Sequence, residues 1–376
     1  MGRPSNRSAE DLASRKGEWH ADRNLNMCIR LSFVAIGAVG LLTWPVRAWD
    51  AVCHSLVSQL ALAALPKDFP DFVQGPAEAE RIAFLANVPD RWRSVDPWLR
   101  QSGGSWTDHF FDVEQIADAG LDIRRVSSLR YDFVVSFAAG RAANIAKFHE
   151  IDPAKNSDHT QEWPGFSPWA MAEYYHKLRA AISSWKAFVE VGGTDGEIFN
   201  ARADIVNMMG ILAHYVGDSA QPLHTTVHYN GWSGANPQGY TVWRGFHSWI
   251  DGGFAAKAQL KLPELRARVT PAEPIRVMAR SDGRDPFFVA MLEHVIAQNA
   301  RVEPLYVLEK AGLLGHGAQA ITAEGRAFIS EQLLVGGQML ACVWLTAWQS
   351  APVDTYLRTQ LGKRADPVRS RKPASP

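Results

Sequence analysis

The stretch "HYVGDSAQPLH", residues 214–224, places two histidines and a carboxylate around the end of an apolar run. "NMMGILAHYVGD" (207–218) reads as a buried helix, so His214 and Asp218, four residues apart, share one face. A buried, unpaired carboxylate is costly, and the plain account is a hydrogen-bonded His–Asp pair in the core. That account weakens when the pattern recurs. "GFHSWID" gives His247 and Asp251 at the same spacing, again among apolar residues, and His224 follows just beyond Pro222. Two such pairs and a further histidine exceed what a core needs. Imidazole and carboxylate at this spacing suit a borderline metal ion such as zinc. Asp90 in "LANVPDRWR" and His109 in "SWTDHFFDVE" offer two more donors of the same kind. No CxxC pair occurs, so any metal must rest on histidine and carboxylate, and no serine or cysteine stands out as a nucleophile.

Helical elements must position these donors. Apolar residues recur at helical spacing over 51–65, 128–150, 168–191, 200–218, 286–312 and 324–350, while alternating strand patterns are scarce. The expected fold is all-α, a single mostly helical domain over 49–360. Loops rich in Pro, Gly and Asn fall at 66–76, 94–106, 151–167, 226–245 and 261–286. The basic, Pro-rich tail 361–376 is expected to be disordered. With 376 residues, 47% of them hydrophobic, the chain can bury a full core. A formal net charge of zero argues against a strong field for polyanions, so any contact with nucleic acid has to be local.

Residues 1–26 are polar and charged and read as disordered or untranslated, and Met27 is the better start. From there Arg30, an apolar run from Leu31 to Trp44 and Val46-Arg47-Ala48 have the grammar of a secretory signal peptide over 27–48. The expected location is secreted or periplasmic after cleavage near Ala48. An uncleaved anchor is the alternative, and no other segment reads as long and apolar enough to cross a membrane. Cleavage would leave Trp49 as the new N-terminus, five residues before His54, and a free amine with the first carbonyl can chelate a metal. Only Cys53 and Cys342 would remain in the mature chain; a disulfide between them is possible in an oxidising compartment, but two cysteines are no framework.

Taken together, an N-terminal Trp, then His, then Asp, then "HF.D", "H..GD..QP.H" and "H...D" resemble the trinuclear-zinc superfamily of bacterial phospholipases C and fungal and plant single-strand-specific nucleases. The resemblance runs from Trp49 to about Asp251. It implies three zinc ions. Asp90, His109, His214 and Asp218 resemble the ligands of one. Trp49 and His54, with Asp218 as a bridge, resemble those of a second, and His224, His247 and Asp251 those of the third. It also implies a zinc-bridging hydroxide as the attacking group, with Asp90, Arg93 and Asp218 at the reacting centre.

The Trp49–His54 spacing is nearer the nuclease branch. Arg93 matches an arginine that contacts phosphate there, and Phe110 and Asp112 match residues that stack on and hydrogen-bond to a base. Each also has a plain structural account: surface charge, core aromatic and helix cap. The missing "GGN" stretch, together with "PQG" and "GFHS", looks more like the phospholipases. The leading expectation is a secreted zinc-dependent phosphodiester hydrolase, a nuclease cleaving single-stranded DNA or RNA to 5′-phosphates. The alternatives are a phospholipase C acting on phospholipid and a non-catalytic metal-binding helical protein. No stable protein partner is implied. His228, Trp232 and Trp243 are expected at the pocket mouth, whereas His149, His159, His176, His294 and His316 read as ordinary surface or core residues.

Overall fold

The computed structural model describes residues 50–96, 98–99 and 106–365. The chain is 66% helix with no strands among the described residues, which places it in the all-α class. The helices of eight residues or more are α1 Ala51–Ala64, α2 Pro76–Leu85, α3 Val88–Val95, α4 Arg130–Ala143, α5 Ser167–Val191, α6 Asp195–Ala220, α7 Pro286–Asn299, α8 Val302–Lys310, α9 Ala323–Ser350 and α10 Thr355–Ala365. The segments at 1–26 and 27–48, and Trp49, lie outside the described residues.

Helix boundaries follow local chemistry. Asp50 caps α1, its carboxylate accepting from the backbone of Val52 and Cys53. The long helix α6 starts five residues earlier than its apolar pattern suggests, because Thr194 and Glu197 close a reciprocal capping box. Helix α5 ends at Gly192, whose φ of 110° a side chain would resist. The expected helix over 286–312 breaks into α7 and α8 around Ala300. Pro304 has no N–H to donate to the carbonyl of residue 300, and the restart puts the proline in a first turn, where that loss is tolerated. The last helix runs to Ala365, past the expected domain end at 360, because Leu361 is buried.

Helix α6 is the axis of the bundle. From Met209 to Ala220 every residue is buried, the signature of a helix apolar on all sides and surrounded by others. Helices α1, α2, α5 and α9 pack around it. Two glycines set the closest approaches: a Cβ at Gly210 would lie 2.4 Å from Leu85 Cβ, and one at Gly337 2.6 Å from Leu60 Cβ. Contrary to the reading that no other segment is long and apolar enough to cross a membrane, one helix of the core passes that test. Helix α9 is long and apolar enough to cross a membrane by length and composition, with a mean hydropathy of 1.3. Its apolar character serves the core instead, where Leu333, Leu340, Val343 and Trp344 are buried. Cys53 and Cys342 are both free thiols, not bonded to one another.

Candidate metal centre

The centre forms where the buried end of α6 meets α1, the N-terminal part of α3 and the short 3₁₀ turn Thr107–His109. That turn is fastened on both sides. Phe166 N–H donates to Thr107 O (2.7 Å), Ser167 N–H to Phe110 O (3.1 Å) and Phe111 N–H to His224 O (2.9 Å). Gly165, at φ 91°, makes the first two contacts possible, since a Cβ there would lie 2.1 Å from Phe110 O. Pro222 ends α6, and the following turn Pro222–Thr225 brings His224 back to the same place.

Asp218 is wholly buried and its two oxygens face different histidines. Oδ1 lies 3.3 Å from His54 Nε2, whereas Oδ2 lies 2.9 Å from His109 Nδ1 and 3.1 Å from His214 Nε2. Asp90 Oδ1 is 3.8 Å from His109 Nδ1 and is held by Arg93 Nη2 at 2.5 Å. Arg93 is itself buried, with its guanidinium over the Trp106 ring. A second group stands beside the first: His247 Nε2 is 2.9 Å from Asp251 Oδ2, and His224 Nε2 is 3.9 Å from Asp251 Oδ1. Donor atoms converge in three sets, namely His54, Asp90 and His214; His109, His214 and Asp218; and His224, His247 and Asp251. Eight of the nine predicted ligand residues are therefore brought together. The ninth, Trp49, lies outside the described residues, but Asp50 next to it donates its N–H to the carbonyl of Asp251 at 3.1 Å.

Whether this donor set fits a metal can be judged from its protons. His214 Nδ1 is bonded to Ala86 O (2.7 Å), His224 Nδ1 to His109 O (2.8 Å) and His247 Nδ1 to Tyr229 O (3.2 Å). A neutral imidazole that donates through Nδ1 carries a bare lone pair on Nε2. In His214 and His247 that lone pair faces a carboxylate oxygen, which requires a proton or a cation between them. His54 Nδ1 and Nε2, His109 Nε2, His224 Nε2, Asp218 Oδ1 and Asp251 Oδ2 are buried with no hydrogen-bond partner. Such clustered orphans are what a set of metal ligands leaves when the metal is not counted. Backbone carbonyls that fix the outer nitrogen of each ring are the usual support for histidine ligands.

The charges agree. Burial drives His109 down to about 3, helped by the Arg93 guanidinium, so it stays neutral and ready to ligate. Burial opposes charging of His214 and His247, yet Asp218 and Asp251 respectively outweigh it and raise both. Burial also opposes ionisation of Asp218, but His214 and His224 hold it well below the usual carboxylate range. Asp90 is lowered too, Arg93 overcoming its burial.

A cleft of about 610 Å³ opens above these residues. Arg93, His109, His224 and His247 reach it from the side of the donor clusters, and Phe110 and Asp112 line it as well. Phe110 is half-buried; Asp112 is buried, and its burial with Glu114 nearby raises its carboxyl well above the usual range. The opposite wall comes from 141–163, with Arg141, Lys147, Phe148, His149, Lys155 and Trp163. This wall carries no marked motif in the sequence, and His149 reads there as ordinary, although the alternation of Lys, Phe and His in "AKFHE" is a readable cue. His149 Nε2 in fact meets Ser233 Oγ at 3.3 Å across the cleft. His228, Trp232 and Trp243 do not line it. His228 stacks on Trp232 at 3.8 Å, Trp243 lies against His316, and their neighbours Tyr229, Ser233 and Arg244 reach the cleft instead. Neither protein-family models nor curated proteins give a match to this chain.

Proposed function

We propose that the chain is a zinc-dependent phosphodiester hydrolase that cleaves single-stranded nucleic acid to 5′-phosphates, acting after export. The observation that carries this reading is the division of Asp218, one oxygen toward His54 and the other toward His109 and His214, with His109 also lining a cleft of aromatic and cationic side chains. His54, Asp90, His109, His214 and Asp218 would hold a pair of zinc ions, with Trp49 completing the set, and His224, His247 and Asp251 would hold a third. Zinc bound there would supply a coordinated water acidic enough to act near neutral pH and a Lewis acid for a phosphoryl oxygen.

The protein residues do the rest. Arg93 lines the cleft, and its guanidinium would meet a phosphate oxygen there. Phe110 offers a ring for stacking, which suits unpaired bases of any sequence. Asp112, held toward its protonated form, can donate as well as accept at a base edge. Asp90 anchors Arg93 beside the ligands.

A phospholipase C reading is favoured by one feature. Tyr131 and Val135, one turn apart on α4, and Ile145 just past it are exposed apolar side chains, and α4 also gives Arg141 to the cleft wall. One assay separates the readings. Protein beginning at Trp49 and loaded with zinc is offered single-stranded DNA, RNA, a 3′-nucleotide and phosphatidylcholine side by side. Nuclease activity that vanishes on chelation, with a fall in Tm, is the expected result. Lipid hydrolysis alone supports the second reading, and zinc binding without turnover of any substrate supports a non-catalytic metal protein.

A further inference from the structure

Gln221 stands inside "HYVGDSAQPLH" and yet is not one of the donors. Its side chain is wholly buried between two parts of the centre that belong to different segments. Nε2 donates to Asp251 Oδ1 at 2.7 Å, and Oε1 accepts from the backbone N–H of Leu223 at 2.6 Å. The first bond fixes the rotation of the Asp251 carboxylate. With Oδ1 occupied, Oδ2 is the oxygen left facing His247 Nε2 at 2.9 Å, and Oδ2 has no hydrogen-bond partner of its own. The second bond caps the turn Pro222–Thr225, which carries His224. The same amide therefore touches the element that presents His224 and the side chain of Asp251, about thirty residues away in sequence.

A carboxylate on a broken helix needs such a partner. Asp251 sits in the π-helical segment Trp249–Gly253, between the short α segments Phe246–Ser248 and Phe254–Ala258. A free aspartate there could turn either oxygen, or both, toward His224 and His247. A carboxamide is the group that can do both jobs at once, because one end only donates and the other only accepts. A carboxylate in its place would keep the bond to Leu223 and set two anionic oxygens against each other at Asp251.

We infer that Gln221 is the positioning residue of the His224–His247–Asp251 group, holding Asp251 Oδ2 as a single-oxygen ligand and setting the His224 turn against it. This rests on the metal-binding reading given above. The two functions of the amide can be separated by substitution. Gln221→Glu keeps the acceptor for Leu223 and loses the donor to Asp251, whereas Gln221→Met keeps the volume and loses both.

The test is zinc affinity by chelator competition, read site by site against wild-type protein, with His247→Ala as the reference for loss of this one group. Gln221→Glu is expected to weaken zinc at this group about 10–100-fold, the usual consequence of losing an outer-sphere partner. The sites around Asp218 are expected to keep their affinity, and Gln221→Glu combined with His247→Ala should be no worse than His247→Ala alone. A role confined to the turn predicts the opposite order: Gln221→Glu like wild type, and only Gln221→Met impaired. That outcome, or wild-type affinity in both variants, overturns the inference. Absence of zinc from the wild-type protein would instead overturn the metal reading itself. Should both variants fail to fold, a crystal structure of the zinc-loaded wild type decides the matter. Gln221 bonded to Oδ1 with zinc on Oδ2 supports the inference, and bidentate or Oδ1 ligation overturns it.

Discussion

The two donor clusters are built on opposite plans. Around Asp218, the key residues ride on the part of α6 that is buried from Met209 onward, and α1 and the Thr107–His109 turn close against it. Around Asp251, the residues ride on a short α–π–α run and a 3₁₀ turn, held by individual hydrogen bonds: Gln221 donates to Asp251, and Tyr229 O and Asn230 Oδ1 accept from His247. The first plan borrows its rigidity from the core. The second gets it from polar contacts, one at a time, and a π turn is a frequent companion of functional sites because it re-aims a side chain that a regular helix would misplace. The first cluster should therefore resist local change, and the second should be the adjustable one.

The largest effect is expected at the shared carboxylate. Asp218→Asn leaves the shape of the core intact but removes the charge that faces three histidines, and it is expected to lower kcat/KM on the preferred substrate by about a thousandfold or more, equivalent to about 4 kcal/mol. Asp251→Asn touches one group only and should cost clearly less. Steady-state kinetics and zinc content of the two variants, measured together, decide this. Equal losses would mean that the clusters work as one unit and that Asp218 has no special place.

Paired glycine substitutions probe the two plans next. Gly210→Ala drives a Cβ into Leu85 between α2 and α6 and should cost about 1–3 kcal/mol of stability with zinc content unchanged. Gly252→Ala puts a Cβ 2.4 Å from Asp50 Oδ2, in the segment that anchors the chain before His54. Its cost should fall mainly on zinc held by His247 and Asp251, whose segment it displaces, with a smaller drop in Tm. Thermal unfolding and metal analysis of both proteins would show whether the distinction between core-built and bond-built clusters holds.

The smallest effect concerns a histidine that belongs to neither plan. His294 is buried on α7 and faces no carboxylate that would hold a proton on it; burial alone lowers it to about 4. A folded-state value below the unfolded one, about 6.5, means that the unfolded chain binds the proton first as pH falls. Stability is therefore complete above about 6.5 and declines toward about 4, by about 1 kcal/mol near pH 5.5. Replacing the side chain, as in His294→Leu, should flatten that part of the stability curve of metal-free protein, as measured by denaturant unfolding at several pH values. An unchanged slope would assign the decline to other groups.

The helices and the donors were legible from residue pattern alone, because burial imposes a helical period and because His and Asp have few reasons to sit inside it. Helix α6 and the pair His214 and Asp218 are the clearest case. Three things were not legible. The break at Ala300 depends on a proline four residues later, inside a segment whose apolar period continues without interruption. The π turn around Asp251 keeps the i, i+4 spacing in sequence and changes only the backbone. The cleft wall at 141–163 depends on where a polar loop is laid down, and polar composition says little about that. Trp232 and Trp243 do not line the cleft for a related reason: nearness in sequence does not decide which way a ring packs, and His228 and His316 each pack against one of them.

The hydrogen bond from Asp50 to the carbonyl of Asp251 spans about two hundred residues of chain. It closes a loop that contains every other described donor, from His54 to His247. Closing so long a loop carries a large part of its entropic penalty before any local contact rewards it, so this junction is expected to form late in folding. During synthesis His54 emerges early and must wait for a segment made far later. The His224–His247–Asp251 group cannot take its final form on a nascent chain that lacks residue 251, so any metal held there would load only after that segment is made.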